Sequence, residues 1–126
     1  MLESAERGIF SEYSLKTTSD IAREKYFTKT GNVYQLRKSI KDMVKFKKIN
    51  LYSMQETRAM MGMDIIFCRN VLIYFNDYSK KKVISHLYDC LNPGGFLVMG
   101  SAESLHTVTR LFKPGSFDGS LAYQKK

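Results

Sequence analysis

The chain has 126 residues, 44% of them hydrophobic, and a formal net charge of +8. That length holds at most one domain with a real core, and the apolar content excludes wholesale disorder. No apolar run approaches the ~20 residues of a membrane-spanning helix. The opening Met1-Leu2-Glu3-Ser4-Ala5-Glu6 lacks the basic start and apolar centre of a secretion signal, and Cys68 and Cys90 show neither metal-ligand spacing nor a disulfide framework, as expected of reduced thiols in the cytoplasm.

Taken in order, Met1 to Arg7 predicts the end of a helix, with Leu2, Ala5 and Ile9 on one face and Gly8 just past its terminus. Tyr13 to Thr18 reads as a polar connector. Ser19 or Asp20 caps a short helix through Lys25. Tyr26–Lys29 and Asn32–Leu36 then flank Thr30-Gly31, a hairpin signal, because glycine supplies the positive φ of a tight turn. Val44 and Phe46 alternate with Lys45 and Lys47, which predicts a third strand and a small antiparallel sheet over about residues 20–48. Met54 to Met61 reads as a helix whose methionines fill core gaps.

Met63 to Phe67 is a short apolar run with β-branched residues, expected as a buried, central strand. It stops at Cys68-Arg69-Asn70. A cation and an amide there are poor core material, since burying the amide alone without a partner costs roughly 2–7 kcal/mol. They fit the carboxyl edge of a parallel sheet, where open α/β folds bind ligands; an Arg–Asn pair tying down a loop is the competing reading. Asn76 or Asp77 caps a helix carrying Val83, Ile84, Leu87, Tyr88 and Leu91 at helical spacing. Asn92-Pro93-Gly94-Gly95 stops it, and Phe96 to Met99 forms a second strand. Strand, polar edge, helix and strand make a right-handed βαβ unit. Glu103 to Thr109 is expected as a short helix, Phe112 to Ser116 as a turn, and Phe117 with Leu121 to Gln124 as paired last strands.

The lysines fall in small groups: Lys38 and Lys41; Lys45, Lys47 and Lys48; Lys80 to Lys82. Solvated faces explain them most simply. An acidic partner is the functional alternative, but no nucleic-acid motif accompanies the charge. His86 and His106 are isolated and read as ordinary helix or loop residues.

The run Phe67-Cys68-Arg69-Asn70-Val71-Leu72-Ile73-Tyr74-Phe75 resembles the signature of the CheR-type chemotaxis receptor methyltransferases. The Leu-x-Pro-Gly-Gly turn, Gly100-Ser101-Ala102-Glu103-Ser104 and the closing Leu121-Ala122-Tyr123-Gln124-Lys125 match the same family in the same order. The resemblance implies an α/β fold: the second half of the sheet of a Rossmann-like class I methyltransferase, with a reversed hairpin at its end and a small β insert that docks on receptors. It implies methyl transfer from S-adenosylmethionine to a receptor glutamate. Asn50 and Leu51 would lie beside the adenosine, Cys68, Arg69 and Asn70 would complete the cofactor edge, Arg69 would also meet the substrate's charge, and Tyr74 would orient the acceptor carboxylate. On residues alone Asn50 reads better as a turn residue, and Tyr74 equally well as a packed aromatic.

The family's glycine-rich first loop and ribose-binding acidic residue would lie upstream of Met1, and no Gly-x-Gly occurs in these residues. The expectation is therefore a truncated domain that is inactive alone and exposes a strand edge open to self-association. The partner is expected to be the cytoplasmic domain of a methyl-accepting chemotaxis receptor, with no membrane insertion. The short Thr28–Asn32 loop argues against tight grip on a receptor tail peptide. The alternative is a non-enzymatic module that binds a receptor, an anionic ligand or nucleic acid.

Overall fold

The computed structural model describes residues 1–126, which divide into two compact units, Met1–Lys48 and Ile49–Lys126. The first unit begins with α1 (Leu2–Arg7), closed by Gly8 in the left-handed region at φ 63°. β1 (Ile9–Ser11), a 3-10 turn over Tyr13–Leu15, α2 (Asp20–Tyr26), β2 (Phe27–Thr30), β3 (Val33–Leu36) and α3 (Lys38–Lys41) follow. The α2 cap is Ser19, whose side chain accepts a hydrogen bond from the Ala22 N–H.

A three-stranded antiparallel sheet forms in this unit, in the order β1-β3-β2, with the expected turn at Gly31. Its third strand is not the one predicted. Val44–Phe46 have no regular structure, and Ile9–Ser11 pair with Val33–Gln35 instead. Alternation marked a strand-like pattern at Val44–Phe46, but alternation names no partner, and the place beside β3 is taken by β1. The Tyr13–Thr18 connector is only partly polar, since Leu15 is buried. Arg23 ties the unit together: its guanidinium donates to the carbonyls of Thr18 and Leu15 and to Glu12, and lies over the Tyr34 ring.

The second unit contains α4 (Met54–Arg58), β4 (Met63–Cys68), α5 (Asp77–Cys90), β5 (Leu91–Met99), β6 (Phe112–Phe117) and β7 (Ser120–Lys125). The four strands run in the order β4-β5-β7-β6; β4 and β5 are parallel, and β7 is antiparallel to both of its neighbours. This is the βαβ unit followed by a reversed hairpin. α5 starts where its cap was expected, with Asn76 Oδ1 accepting from the Ser79 N–H at 2.9 Å. It ends at Cys90, and Lys125 Nζ from β7 donates to the terminal carbonyls of Tyr88 and Leu91. A cation on unsatisfied C-terminal carbonyls is favourable.

Val83, Ile84 and Leu97, all 0% exposed, centre a core that includes Cys68, Leu87, Met99, Phe112 and Tyr123. Successive strand residues point to opposite faces, so Ile66, Cys68, Leu97, Met99 and Tyr123 face α5. Ile65, Phe67, Phe96, Val98 and Phe117 line the other face.

Several expectations need correction here. β4 is an edge strand, not central, and is buried on one face only: Ile65 is 54% and Phe67 72% exposed. Composition can mark a strand as apolar, but what covers it depends on the neighbours. The Asn92–Gly95 segment ends the helix as expected but lies inside β5 as a bulge, where the pairing jumps from Met63↔Leu91 to Ile65↔Phe96. A Cβ on Gly95 would sit 2.9 Å from the backbone oxygens of Asn92 and Asp64, so that position needs glycine. Phe112–Ser116 belongs to β6, and the tight turn is Asp118-Gly119. Pro114 is tolerated because β6 is an edge strand, where a missing N–H can face solvent. Glu103–Thr109 forms turns, not a helix, and the helix after Ser53 ends at Arg58.

Candidate functional site

The carboxyl ends of β4 and β5 lie side by side, and the loops leaving them are joined by one side chain. Glu103 is 8% exposed. Its Oε2 accepts from the Asn70 N–H at 2.7 Å and the Gly100 N–H at 3.0 Å, and its Oε1 accepts from Leu72 at 2.9 Å and Ile73 at 3.2 Å. Burial pushes its pKa up, but the four backbone donors outweigh that, and the net shift is downward. Gly100 makes room for this arrangement: a Cβ there would meet Asn70 Oδ1 at 2.6 Å and Glu103 Oε2 at 2.7 Å. Asn70 itself is left-handed, at φ 58°.

Cys68 is buried beneath this edge, its thiol pushed up to about 11 by burial and by the nearby Glu103 carboxylate. Arg69 makes no ion pair, since the three that form all lie in the first unit. It borders a groove of about 410 Å³ with Ile65, Phe67 and Phe117. Tyr74, in a 3-10 turn after the edge, is 84% exposed with its hydroxyl unpartnered, so it is not a packed aromatic; Phe75 takes that role.

Asn50 and Leu51 are placed by a tight turn before α4. Asn50 Oδ1 accepts from the Tyr52 N–H at 3.0 Å, and the Asn50 N–H donates to Glu56 Oε2 at 2.8 Å. The side-chain nitrogen of Asn50 remains free. The Leu51 carbonyl accepts from the Nδ1–H of buried His86 at 3.0 Å, which accounts for that histidine. Leu51 lines an apolar cleft of about 260 Å³ with Ile49, Met63, Ile65, Ile66 and Leu87. Ile65 thus borders both the Leu51 cleft and the Arg69 groove. No hydrogen bond joins Asn50 to Cys68–Asn70. The structure therefore sets Cys68, Arg69 and Asn70 at the carboxyl end of β4, Tyr74 exposed in the turn that follows, and Leu51 in a cleft that Ile65 also borders.

Residues 1–118 match the family model described as CheR methyltransferase, SAM binding domain. The chain belongs to the CheR methyltransferase family. The Vibrio cholerae protein named chemotaxis protein methyltransferase 2 is 38% identical over 126 residues, covering 99% of this chain and 44% of the relative. Chemotaxis protein methyltransferases of Vibrio parahaemolyticus and Vibrio anguillarum are each 36% identical over 129 residues, covering all of this chain and 46% of theirs. The chain thus spans about half the length of these curated relatives. Glu103 is the member of the edge that the sequence does not announce, since it stands in Gly100–Ser104 with no chemical role attached. The available signal was an acidic residue in a glycine- and serine-rich stretch after a strand, with no basic neighbour to pair it. No helix is long and apolar enough to cross a membrane.

Proposed function

We propose that these residues form the C-terminal part of the catalytic domain of an S-adenosylmethionine-dependent protein-glutamate O-methyltransferase, acting on the cytoplasmic domain of chemotaxis receptors. The carrying observation is the Cys68-Arg69-Asn70 edge, held at the carboxyl ends of parallel β4 and β5, in a chain that matches this family over residues 1–118. Open α/β sheets bind ligands at that end.

In this reading Asn50 and Leu51 stand on the adenosine side of the site. The free amide nitrogen of Asn50 is a donor for a ring nitrogen, and the apolar cleft beside Leu51 suits a flat ring. When bound, S-adenosylmethionine supplies a methyl group on a sulfonium that is its own leaving group. The acceptor glutamate, with an ordinary pKa of about 4.3, is already ionised at neutral pH. The protein's task is then positioning, which can contribute roughly 7–11 kcal/mol, and stripping water from the carboxylate. Arg69 offers an uncommitted guanidinium to the incoming charge, and the free Tyr74 hydroxyl donates to the acceptor oxygen. The first unit docks the receptor through the open cleft bordered by Asp20, Arg23, Lys29 and Arg37, without a tight hold on a tail peptide.

By themselves these residues bind the cofactor weakly. They contain no Gly-x-Gly loop to bring backbone N–H groups to the ligand. Loss of that loop and of an acidic ribose partner costs at least about a hundredfold in affinity, at 1.4 kcal/mol per decade. The unpaired outer edge of β4, with Ile65 and Phe67 exposed, favours self-association.

The test is to join this chain behind the N-terminal half of the Vibrio cholerae relative and measure base-labile methyl groups on a receptor cytoplasmic fragment. Activity is expected, with Tyr74→Phe lowering kcat by roughly 10–100-fold if the lost bond is charge-assisted. A folded fusion that binds S-adenosylhomocysteine but forms no base-labile methyl groups would refute the reaction.

A further inference from the structure

We propose that Glu103 is the positioning residue of the ligand edge: by clamping the loops after β4 and β5 together, it holds Asn70 left-handed and so sets how Arg69 and Asn70 meet the cofactor. The inference rests on reading that edge as a cofactor wall. Glu103 makes no ion pair with Arg69 and accepts only from backbone N–H groups, so it acts through the backbone.

Three features of its surroundings lead to this role. A carboxylate is acceptor-only and has about four lone-pair positions. Here all are used on backbone N–H groups, those of Asn70, Gly100, Leu72 and Ile73, and none on a cation. A buried carboxylate without a counter-ion is a poor way to stabilise a core, but its two oxygens can tie separate loops at once. The loops joined are those that leave the two parallel strands. The Asn70 backbone sits at φ 58°, in the left-handed region that asparagine enters more readily than other non-glycine residues, and its N–H is held there by Glu103. That residue follows Arg69 directly, so relaxation of Asn70 would redirect both side chains. Finally, Gly100 leaves no slack, since Asn70 Oδ1 and Glu103 Oε2 already occupy the space a Cβ would need. The lowered pKa of Glu103 agrees with a carboxylate held ionised by these donors.

Glu103→Gln keeps the size but replaces one oxygen with a donor group, so two of the four N–H groups lose their acceptor. The experiment joins this chain behind the N-terminal half of the Vibrio cholerae relative and follows the backbone amide resonances of that native chain and of its Glu103→Gln variant during titration with S-adenosylhomocysteine. In the native chain the Arg69 and Asn70 amides should shift on titration. In the variant the affinity read from those shifts should fall by at least about tenfold, equivalent to one modest hydrogen bond. The Asn70 Cα and Cβ shifts should move away from left-handed values, while the Val83, Leu87 and Leu97 amides keep their exchange protection. Cofactor shifts that persist unchanged in the variant would overturn the role of Glu103 and leave the edge reading intact. No shift at Arg69 or Asn70 in the native chain would overturn the edge reading, and with it the role.

Should the variant fail to fold, acid titration of the native chain gives the answer. The groups facing Glu103 are the Cys68 thiol and, around the same small cleft, Asp77 and Lys80. The Asn70, Leu72, Ile73 and Gly100 amides should move together through one midpoint below the ordinary glutamate range, and the cofactor shifts should vanish through that midpoint. Four independent midpoints, or cofactor shifts that survive it, would overturn the proposal.

Discussion

Gly100→Ala is the sharpest structural perturbation of the edge, because it adds a single methyl group where two polar groups already sit. The new Cβ would lie 2.6 Å from Asn70 Oδ1, 2.7 Å from Glu103 Oε2 and 3.1 Å from the Asn70 nitrogen. Ordinary carbon–oxygen contact begins at about 3.3 Å, so the two oxygens must retreat by about 0.6–0.7 Å. The Gly100–Glu103 bond, 3.0 Å long, would then exceed the useful range, and the Asn70–Glu103 bond, 2.7 Å long, would be stretched. Hydrogen bonds to a charged group are worth roughly 1.5–3 kcal/mol each. Losing one and weakening another predicts a destabilisation of about 2–4 kcal/mol, of the same order as the penalty for overpacking a filled site. Gly115→Ala is the control, because its Cβ would meet Phe117 at 3.6 Å, an ordinary contact. Urea unfolding followed by circular dichroism should show a clear drop in midpoint for Gly100→Ala and little change for Gly115→Ala. Equal behaviour of the two variants, or a loss below about 0.5 kcal/mol at Gly100, would refute the claim that the loops are interlocked there.

Acid should weaken the second unit through the same carboxylate. The folded pKa of Glu103 is lowered, so its contribution to stability is present above the unfolded value of about 4.3 and is lost as pH falls through the folded value. Thermal melts in acid should show that loss in the native chain and a flatter pH dependence in Glu103→Gln; identical profiles would contradict it. Cys68, buried with its thiol pushed up to about 11, should resist iodoacetamide at neutral pH and react readily once urea opens the core. Mass spectrometry of timed samples checks this, and rapid modification of the folded chain would show that the edge opens.

Much of the βαβ unit is legible in the residues, because local rules govern it. The 3.6-residue spacing of Val83, Ile84 and Leu87 and the cap at Asn76 define α5 before any tertiary contact is known. The hairpin at Gly31 is equally local. Features set by distant partners were not legible. β1 joins the first sheet by pairing with residues about 24 positions away, and nothing in Ile9–Ser11 announces that. The same alternation at Val44–Phe46 finds no partner and stays irregular. Phe67 reads as core by composition, yet points to the face of an edge strand that the described residues leave open. At the candidate site, Cys68-Arg69-Asn70 stood out because polar residues end an apolar run. Glu103 did not, because its role depends on four backbone groups whose convergence only the fold creates.

The central claim is that the Cys68–Asn70 edge is one wall of an S-adenosylmethionine site completed by residues outside these 126. Isothermal calorimetry with S-adenosylhomocysteine tests it most directly, on this chain alone and on this chain mixed with the N-terminal half of the Vibrio cholerae relative. The account predicts negligible heat from the chain alone and micromolar-range binding on mixing, lost again when Arg69 is replaced by alanine. Tight binding by the chain alone, or a mixed complex that assembles yet binds no cofactor, would contradict it.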